Sequence, residues 1–233
     1  MDIPNTVETA LADQPVAGRN CLEAGAGVGN TTAGLLERGA DTIQAITDDR
    51  DHARAVGDRF EYDRVRVLEA DLRSIPLDDD TVEFVTAHAL FNVVPVGDVV
   101  SIVSELSRVA APGSHLVVDD YAPMPEGQMA ELFAVENALA ELARGVPALT
   151  FYPAAHLRSL FVDNGWTFDR QRSLLDPVPW TESHVRAHLD VARELAAKGP
   201  EDVTEPLVGR AERLADAIGS AEAGEMYSLA FRR

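Results

Sequence analysis

A carboxylate followed by three glycines at alternate positions stands near the start of the chain, in residues 21–29 (CLEAGAGVG). Glycine reaches positive φ and lacks a Cβ, so a turn of this composition lets a ligand lie directly against the backbone. A helix-like stretch from Asn30 to Arg38 follows, with Asn30, Thr31 and Thr32 as candidate N-terminal caps. Because a helix amino terminus presents free N–H groups to the same place, the run predicts a nucleotide-binding turn between a strand and a helix.

The spacing of the glycines narrows the kind of nucleotide. A dinucleotide fingerprint has the spacing Gly-x-Gly-x-x-Gly. Counted from Gly25 its third glycine would fall on Asn30, and counted from Gly27 it would fall on Thr32. A nicotinamide-dependent dehydrogenase is therefore disfavoured.

Strand-like and helix-like stretches alternate along the chain, which is the pattern of an α/β protein. The predicted strands are residues 19–23, 42–47, 65–70, 81–86, 115–119, 166–174 and 225–231. The predicted helices are residues 4–17, 30–38, 48–60, 97–110, 128–144, 153–164, 182–197 and 201–218, and Pro112-Gly113 is expected to break the chain before the fifth strand. Parallel strands joined by helices place ligands at the carboxyl ends of the strands, so the residues there are the candidate functional groups.

The chain is strongly acidic and almost lacks lysine. Its 233 residues include 39 Asp and Glu against 20 Lys and Arg, for a net charge of −19, and Lys198 is the single lysine. This composition predicts a halophilic protein, adapted to high salt, with ordinary cytosolic acidity as the alternative. No basic patch or basic helix accompanies the charge, so nucleic acid is not an expected partner.

Cys21 is the single cysteine, which excludes an internal disulfide. It falls in the first predicted strand and is expected to be a core residue. Residues 1–5 have no basic segment followed by an apolar core, so no secretory signal is expected. No apolar run has membrane-spanning length, so a membrane is not an expected partner. We therefore expect a cytoplasmic protein.

The motifs between Leu22 and Tyr121 occur in a set order. Residues 23–29 give acid-x-Gly-x-Gly-x-Gly, residues 67–85 give a strand, the acid Asp71 and a further strand, and residues 104–114 give a helix, a Pro-Gly turn and a strand. In this order and spacing the chain resembles the class I S-adenosylmethionine (SAM)-dependent methyltransferases, and among them the small-molecule enzymes of the methyltransferase type 11 group. The resemblance implies SAM as the cofactor and S-adenosylhomocysteine as its product.

The resemblance also implies the fold. We expect a Rossmann-like, doubly wound α/β sheet of seven mostly parallel strands, with the last strand antiparallel, together with a helical cap. The whole chain, residues 1–233, would be one domain. Residues 1–122 would form its cofactor-binding half, and residues 123–165 and 176–224 would form the cap and substrate elements.

Most cofactor-binding residues follow from the resemblance by position. Glu23 would accept hydrogen bonds from the ammonium group of SAM, Asp71 and the Leu72 N–H would hold the adenine, and an acid after the second strand would hold the ribose. The usual pattern places that acid on Thr47, so the assignment lies between Asp48, Asp49 and neither, with Asp48 favoured. The full predicted set is Glu23, Gly25, Ala26, Gly27, Gly29, Asp48, Asp71, Leu72 and His88.

The acceptor side of the site is less defined by the sequence. His88 and Tyr121 are the candidates for a general base, with His88 otherwise a pocket wall or part of the cofactor site. Asp119-Asp120 is similar to the acid pair of metal-dependent catechol-type methyltransferases, but the acid that those enzymes need after the fourth strand is absent at Ala87-His88, so no metal is expected. The predicted pocket residues are Asn92, Asp120, Tyr121 and Tyr152.

Two functions are compatible with these features. The first is transfer of a methyl group from SAM to oxygen, carbon or nitrogen of a small molecule. Aromatic residues on the later helices would help to form a lid, namely Phe133, Phe151, Tyr152 and Trp180. The second is a SAM-binding or inactive methyltransferase-like protein that acts as a partner or regulator. The oligomeric state stays open between a monomer and a homodimer.

Overall fold

The structure, a computed structural model, describes residues 3–60 and 63–233. Within them, seven strands form a central sheet: β1 (Asn20–Ala24), β2 (Thr42–Thr47), β3 (Val65–Glu69), β4 (Val82–His88), β5 (Ala110–Tyr121), β6 (Thr167–Leu175) and β9 (Met226–Arg232). Two short strands, β7 (Pro179–Trp180) and β8 (Ala221–Glu222), pair with each other outside that sheet. The helices are α1 (Asn5–Leu11), α2 (Asn30–Glu37), α3 (Arg50–Arg59), α4 (Val99–Val109), α5 (Gln128–Arg144), α6 (Ala154–Asp163), α7 (Glu182–Ala196) and α8 (Glu201–Ile218).

The strands of the central sheet lie in the order β3-β2-β1-β4-β5-β9-β6. β1 to β5 run parallel to their neighbours among themselves, and β9 lies between β5 and β6, antiparallel to both. The predicted fold, a doubly wound and mostly parallel sheet of seven strands whose last strand is antiparallel, is confirmed. The strand order reverses between β1 and β4, which is where a doubly wound sheet leaves a crevice for a ligand.

Alternating side chains give the sheet two buried faces. Successive strand residues point to opposite sides, so Cys21 and Leu22 belong to different cores. The core of Cys21 includes Val56 and is covered by α1, α2 and α3. The opposite core is covered by α4 and α6, which contribute Leu106 and Phe161. With helices on both faces, the carboxyl ends of the parallel strands are held in fixed positions.

Three further helices, α5, α7 and α8, pack against one another around a third core. The ring of Phe133 in this core lies 5.3 Å from the rings of both Phe151 and Trp180, measured between ring centres. Glu136 is buried beside them, and its Oε2 lies 2.8 Å from Nδ1 of His188. These three helices fall within the residues predicted as a cap. α6 also falls there, but it packs against α4 and the sheet.

Local boundaries differ from the predictions in three places. α1 ends at Leu11 rather than near residue 17, and Pro15 disfavours helical backbone in the residue before it. Pro112-Gly113 lies inside β5, where the register with β4 shifts, and does not break the chain before that strand. The pair β7–β8 was not predicted, because strands of two residues are too short to show alternation.

Ser107 of α4 joins that helix to the turn before β6. Its buried hydroxyl donates to the carbonyl oxygen of Val103 at 2.7 Å and accepts from the indole Nε1 of Trp166 at 2.8 Å. Ser107→Ala leaves the indole N–H without this partner, so we expect the free energy of unfolding to fall by about 1–3 kcal/mol. Ser104→Ala, at an exposed position of the same helix, is the control, and equal urea midpoints for the two variants would contradict the assignment.

Candidate active site

A cleft of about 230 Å³ opens at the carboxyl ends of β1, β2 and β3, beside the amino terminus of α4. Four of the predicted cofactor residues line it, namely Gly25, Asp48, Asp71 and Leu72. The remaining walls come from Thr47, Arg73, Leu90, Val93, Val94, Pro95, Asp98 and Ile102. The cleft therefore lies at the edge of the sheet where the sequence predicts a ligand.

The glycine turn shapes the floor of this region. Gly27 has φ +49°, and a Cβ placed on it would meet no atom closer than the Gly25 carbonyl oxygen at 4.0 Å, so open space faces this residue. Gly29 has φ +81°, and a Cβ there would lie 2.6 Å from Cε2 of Phe60. The turn thus needs Gly29 for packing against the end of α3, whereas Gly27 leaves the backbone open to a ligand.

The backbone of the turn is anchored to the neighbouring strand. The amides of Gly25 and Ala26 both donate to the Ile46 carbonyl oxygen, each at 2.9 Å. α2 then begins with Gly29 as its N-cap and has no side-chain cap, so the prediction that Asn30, Thr31 or Thr32 caps the helix is wrong. The Thr32 hydroxyl donates instead to the Glu23 carboxylate, which explains why it is not free to cap the helix.

Glu23 is buried beneath the turn, with only 2% of its surface exposed. Burial raises the pKa of its carboxyl group to about 7, although the Thr32 hydroxyl and the charge of His88 act in the opposite direction. A carboxyl group that titrates near neutral pH in a desolvated position gains strongly from a cationic partner. The site therefore favours a ligand that brings a positive charge to Glu23.

The two consecutive acids after β2 have different surroundings. Asp49 is the N-cap of α3, and its Oδ1 accepts from the amides of Asp51 at 2.9 Å and His52 at 2.8 Å. These backbone donors lower the pKa of Asp49. Asp48 lines the cleft, and Thr47 is buried with its hydroxyl accepting from the Asp49 amide. Of the two acids, Asp49 is committed to the helix and Asp48 lies along the cleft.

Asp71 is held by an arginine that sequence analysis did not single out. Nη2 of Arg73 lies 2.6 Å from Asp71 Oδ2, and Nε of Arg73 contacts both carboxylate oxygens. Nη1 of the same guanidinium reaches Asp98 Oδ1 at 3.1 Å. The hydrogen bonds from Arg73 lower the pKa of Asp71. Arg73 thereby bridges the loop after β3 to the N-cap of α4, across the cleft wall.

His88 and Asp119 form a pair at the ends of β4 and β5. They are register partners on neighbouring parallel strands, and Nδ1 of His88 lies 2.9 Å from Oδ2 of Asp119. The Asp119 side chain is 2% exposed and the His88 side chain is 21% exposed. Oδ1 of Asp119 is buried and has no hydrogen-bond partner among the described residues, and the same is true of Thr86 Oγ1 on the strand of His88.

Asp120 lies fully buried on the other face of β5. Its Oδ2 accepts from the Asn92 amide at 3.1 Å, and its Oδ1 accepts from its neighbour's amide, that of Tyr121, at 2.7 Å. Burial raises its pKa to about 7.

Two other predicted pocket residues, Asn92 and Tyr152, are also buried. The backbone carbonyl of Tyr152 accepts from the buried hydroxyl of Tyr227 at 2.9 Å. Oδ1 of Asn92 has no hydrogen-bond partner among the described residues.

Seven of the predicted residues fall into two groups. Gly25, Asp48, Asp71 and Leu72 line the cleft, while Glu23, Ala26 and Asp120 are buried beside it. Sequence analysis considered Asp119 as half of a possible metal-binding acid pair, did not pair it with His88, and missed Arg73 and Asp98 as cleft residues. The sequence gives little indication of either role, because Arg73 is recognisable only as a basic residue two positions after Asp71, and Asp98 only as an acidic residue before a predicted helix.

Among residues 3–60 and 63–233, no group of three or more His, Cys, Asp or Glu side chains is arranged to hold a metal ion. In the same part of the chain, no helix combines the length and the apolar character needed to cross a membrane.

Comparison with known proteins agrees with this geometry. Residues 22–118 match the family model described as methyltransferase domain. Over 124 residues the chain is 34% identical to demethylmenaquinone methyltransferase of Clavibacter sepedonicus, an alignment that covers 51% of this chain and 48% of that protein. The chain therefore spans about half the length of this curated relative.

Two solved structures extend the likeness over nearly the whole chain. An S-adenosylmethionine-dependent methyltransferase from Mesorhizobium loti is similar with a TM-score of 0.61 at 15% identity, covering 97% of this chain and 98% of that one. Geranyl diphosphate methyltransferase in complex with SAM gives 0.63 at 18% identity, covering 97% and 84%. At such identities the likeness establishes the fold. Residues 22–118 are thus similar to a methyltransferase domain, and the chain as a whole has the fold of these SAM-dependent methyltransferases.

Proposed function

We propose that this protein binds SAM in the cleft and catalyses transfer of its methyl group to a small-molecule acceptor. The observation that carries the proposal is the placement of Gly25, Asp48, Asp71 and Leu72 along one cleft, with buried Glu23 beneath the glycine turn beside it. SAM supplies a methyl group activated by its bond to a positively charged sulfur.

The cleft residues fit the parts of SAM by their chemistry. The Glu23 carboxylate suits the ammonium group, and the open space at Gly27 lets a ligand approach the backbone. The Asp48 carboxylate can accept from both ribose hydroxyls, since an ionised carboxylate has about four acceptor sites. Asp71 and the Leu72 amide would then bind the adenine. Arg73 contacts both oxygens of Asp71 through its amide, Nε and Nη2, so adenine binding there requires one of these bonds to be exchanged.

The acceptor is proposed to be a small molecule. The names of the similar proteins point that way, since they specify demethylmenaquinone and geranyl diphosphate. The chain beyond β5 adds an aromatic group beside the end of the sheet, where the ring of Trp180 in β7 lies 5.6 Å from that of Tyr121. Aromatic side chains with a few convergent polar groups are typical of small-molecule pockets, and Asn92 and Tyr152 would supply polar groups here.

Calorimetry with SAM, S-adenosylhomocysteine and NADH is the first test, followed by measurement of S-adenosylhomocysteine release over a panel of small molecules in molar salt. We expect binding of the first two, no binding of NADH, and turnover with a member of the panel. Absence of SAM binding would overturn the proposal. SAM binding without turnover would favour the alternative, a SAM-binding partner or regulator.

The two acids after β2 provide a matched pair of variants. We expect Asp48→Ala to weaken SAM binding by about tenfold or more, because two charge-assisted hydrogen bonds to the ribose are lost. Asp49→Ala removes the N-cap of α3 and should lower the free energy of unfolding by about 0.5–2 kcal/mol, with SAM affinity nearly unchanged. Titration calorimetry and urea unfolding of both variants measure this. Unchanged affinity in Asp48→Ala would remove Asp48 from the ribose site.

The affinity for SAM should depend on pH through Glu23. The pKa of this carboxyl group is raised to about 7 by burial, so it is largely neutral below pH 7 in the free protein. An ammonium group binds the ionised form, so SAM affinity should rise with pH, by up to about tenfold per pH unit below that pKa. Titrations from about pH 5.5 to 7.5 stay below the usual pKa of the ligand's amino group.

Glu23→Gln is the control for this dependence. The variant should bind SAM more weakly and show an affinity that changes little over the same range of pH. Asp120, whose pKa is also raised to about 7, stays in place in the variant. A steep dependence that survives in Glu23→Gln would therefore assign the titration to another group such as Asp120.

A further inference from the structure

His88 and Asp119 extend the proposed function to the class of the acceptor, and this inference rests on that function. We propose that Nε2 of His88 takes a proton from the acceptor, that Asp119 is the positioning residue for His88, and that the acceptor is a hydroxyl compound of the phenol, enol or quinol class. An amine that arrives already unprotonated would need no such base.

The hydrogen bond from His88 defines which ring nitrogen is free. Asp119 lies in a buried position and its ionised carboxylate only accepts hydrogen bonds, so Nδ1 of His88, at 2.9 Å, carries the hydrogen. In the neutral ring Nε2 then holds the lone pair and is the basic nitrogen. The 21% exposure of the His88 side chain leaves part of the ring accessible.

The position of His88 is fixed by the backbone as well. His88 and Asp119 are register partners, and the next amide along, that of Ala89, donates to the Asp119 carbonyl oxygen at 2.7 Å. Ala89 has φ +50°, a left-handed conformation that non-glycine residues rarely adopt. The following residue, Leu90, lines the cleft. β5 therefore holds the end of β4 and its turn in one geometry, directly beside the proposed cofactor site.

Two buried oxygen atoms near the His88–Asp119 pair lack hydrogen-bond partners among the described residues. They are Oδ1 of Asp119 and Oγ1 of Thr86, at the ends of β5 and β4. Buried polar atoms are almost always paired, with water or a ligand where protein groups are lacking. A hydroxyl-bearing acceptor, or the water that it displaces, supplies such a partner.

The side chains around His88 are mainly acidic. Asp119 contacts it directly, and the carboxyl groups of Glu23 on β1 and Asp120 on β5 interact with it electrostatically. Arg170 of β6 is a cation on the far side of β9, and it donates to Ser228, the β9 register partner of Asp119. An imidazolium formed by the proton transfer would be paired with the Asp119 carboxylate.

The proposed step moves one proton and one methyl group. The acceptor O–H proton passes to Nε2 of His88, and the electron pair left on the acceptor forms the new bond to the methyl carbon, from oxygen or from the ring carbon that shares the charge. The bond from that carbon to the sulfonium sulfur breaks with its electrons staying on sulfur. The imidazolium then releases its proton to water, so one proton is released for each methyl group transferred. For methylation at carbon, the methylated carbon loses its own proton and the acceptor oxygen regains one, so the net release is again one proton for each methyl group.

A similar pair elsewhere in the molecule provides a control. Nδ1 of His188 lies 2.8 Å from the buried Glu136, and the His188 side chain is 23% exposed, so its geometry matches that of His88 and Asp119. This second pair joins α5 to α7, and its histidine ring packs against Phe133 and Trp180. If His88 and Asp119 had only a structural role, substitutions in the two pairs would have the same consequences.

The first experiment does not depend on turnover. Nitrogen-15 NMR of the imidazole groups, with the His88 signal assigned by its loss in His88→Gln, should show the hydrogen on Nδ1 in the wild-type protein and a changed tautomer ratio in Asp119→Asn. A hydrogen on Nε2 in the neutral wild-type ring would overturn the proposal.

The second experiment uses ring-substituted phenols, naphthols and naphthoquinols of graded acidity, with benzylamine and N-methylbenzylamine as the amine series. In His88→Gln, kcat for hydroxyl acceptors, measured at saturating SAM, should fall by about 100-fold or more. This deficit should shrink as the acceptor becomes more acidic, because an ionised acceptor needs no base. Asp119→Asn should lower kcat less and shift the pH profile, whereas His188→Gln should leave the profile unchanged.

The outcomes separate this inference from the proposed function. SAM binding with no transfer to any hydroxyl acceptor, or transfer to amines that His88→Gln does not affect, would overturn the inference and leave the methyltransferase proposal standing. A deficit in His88→Gln that is independent of acceptor acidity, or an equal change of profile in His188→Gln, would also overturn it. Failure to bind SAM would instead overturn the proposed function itself.

Discussion

Three buried carboxyl groups at one end of the sheet govern the arrangement of the site. Glu23, Asp119 and Asp120 are each no more than 2% exposed, and an ionised carboxylate removed from water is costly unless donors surround it. Each one is therefore tied to a different part of the structure: Glu23 to α2 through Thr32, Asp119 to the end of β4, and Asp120 to the loop that follows β4. The loops around the cleft take their shape from these bonds.

The sequence allowed the main features of this arrangement to be predicted, because they depend on periodicity and on order along the chain. Glycines at 25, 27 and 29 indicated a ligand-binding turn, and apolar runs of strand length indicated a parallel sheet whose carboxyl ends carry Asp71 and His88. The fold predicted from this pattern is confirmed. The halophilic character and the division into a cofactor half and a cap stay predictions.

Other features could not be predicted, because they depend on side-chain directions. Two adjacent acids, Asp48 and Asp49, look equivalent in sequence, and only the backbone at the start of α3 determines that Asp49 caps the helix. The pairing of Asp119 with His88 depends on a strand register that joins residues 31 positions apart. Thr32 looked like a helix cap, but a buried carboxylate nearby is a stronger partner for its hydroxyl.

The bridge from Arg73 to Asp71 and Asp98 has a consequence for how the protein responds to its solvent. The side chains of Arg73 and Asp71 are each about half exposed, at 51% and 47%. In molar salt the Debye length falls to about 3 Å, so an ion pair of this exposure contributes little to holding the cleft wall. The bonds of Glu23 and Asp120 are shielded from the solvent and keep their strength. The side of the cleft formed by Asp71 and Arg73 is therefore the part whose rigidity depends on ionic strength, while the side beneath the glycine turn is insensitive to it.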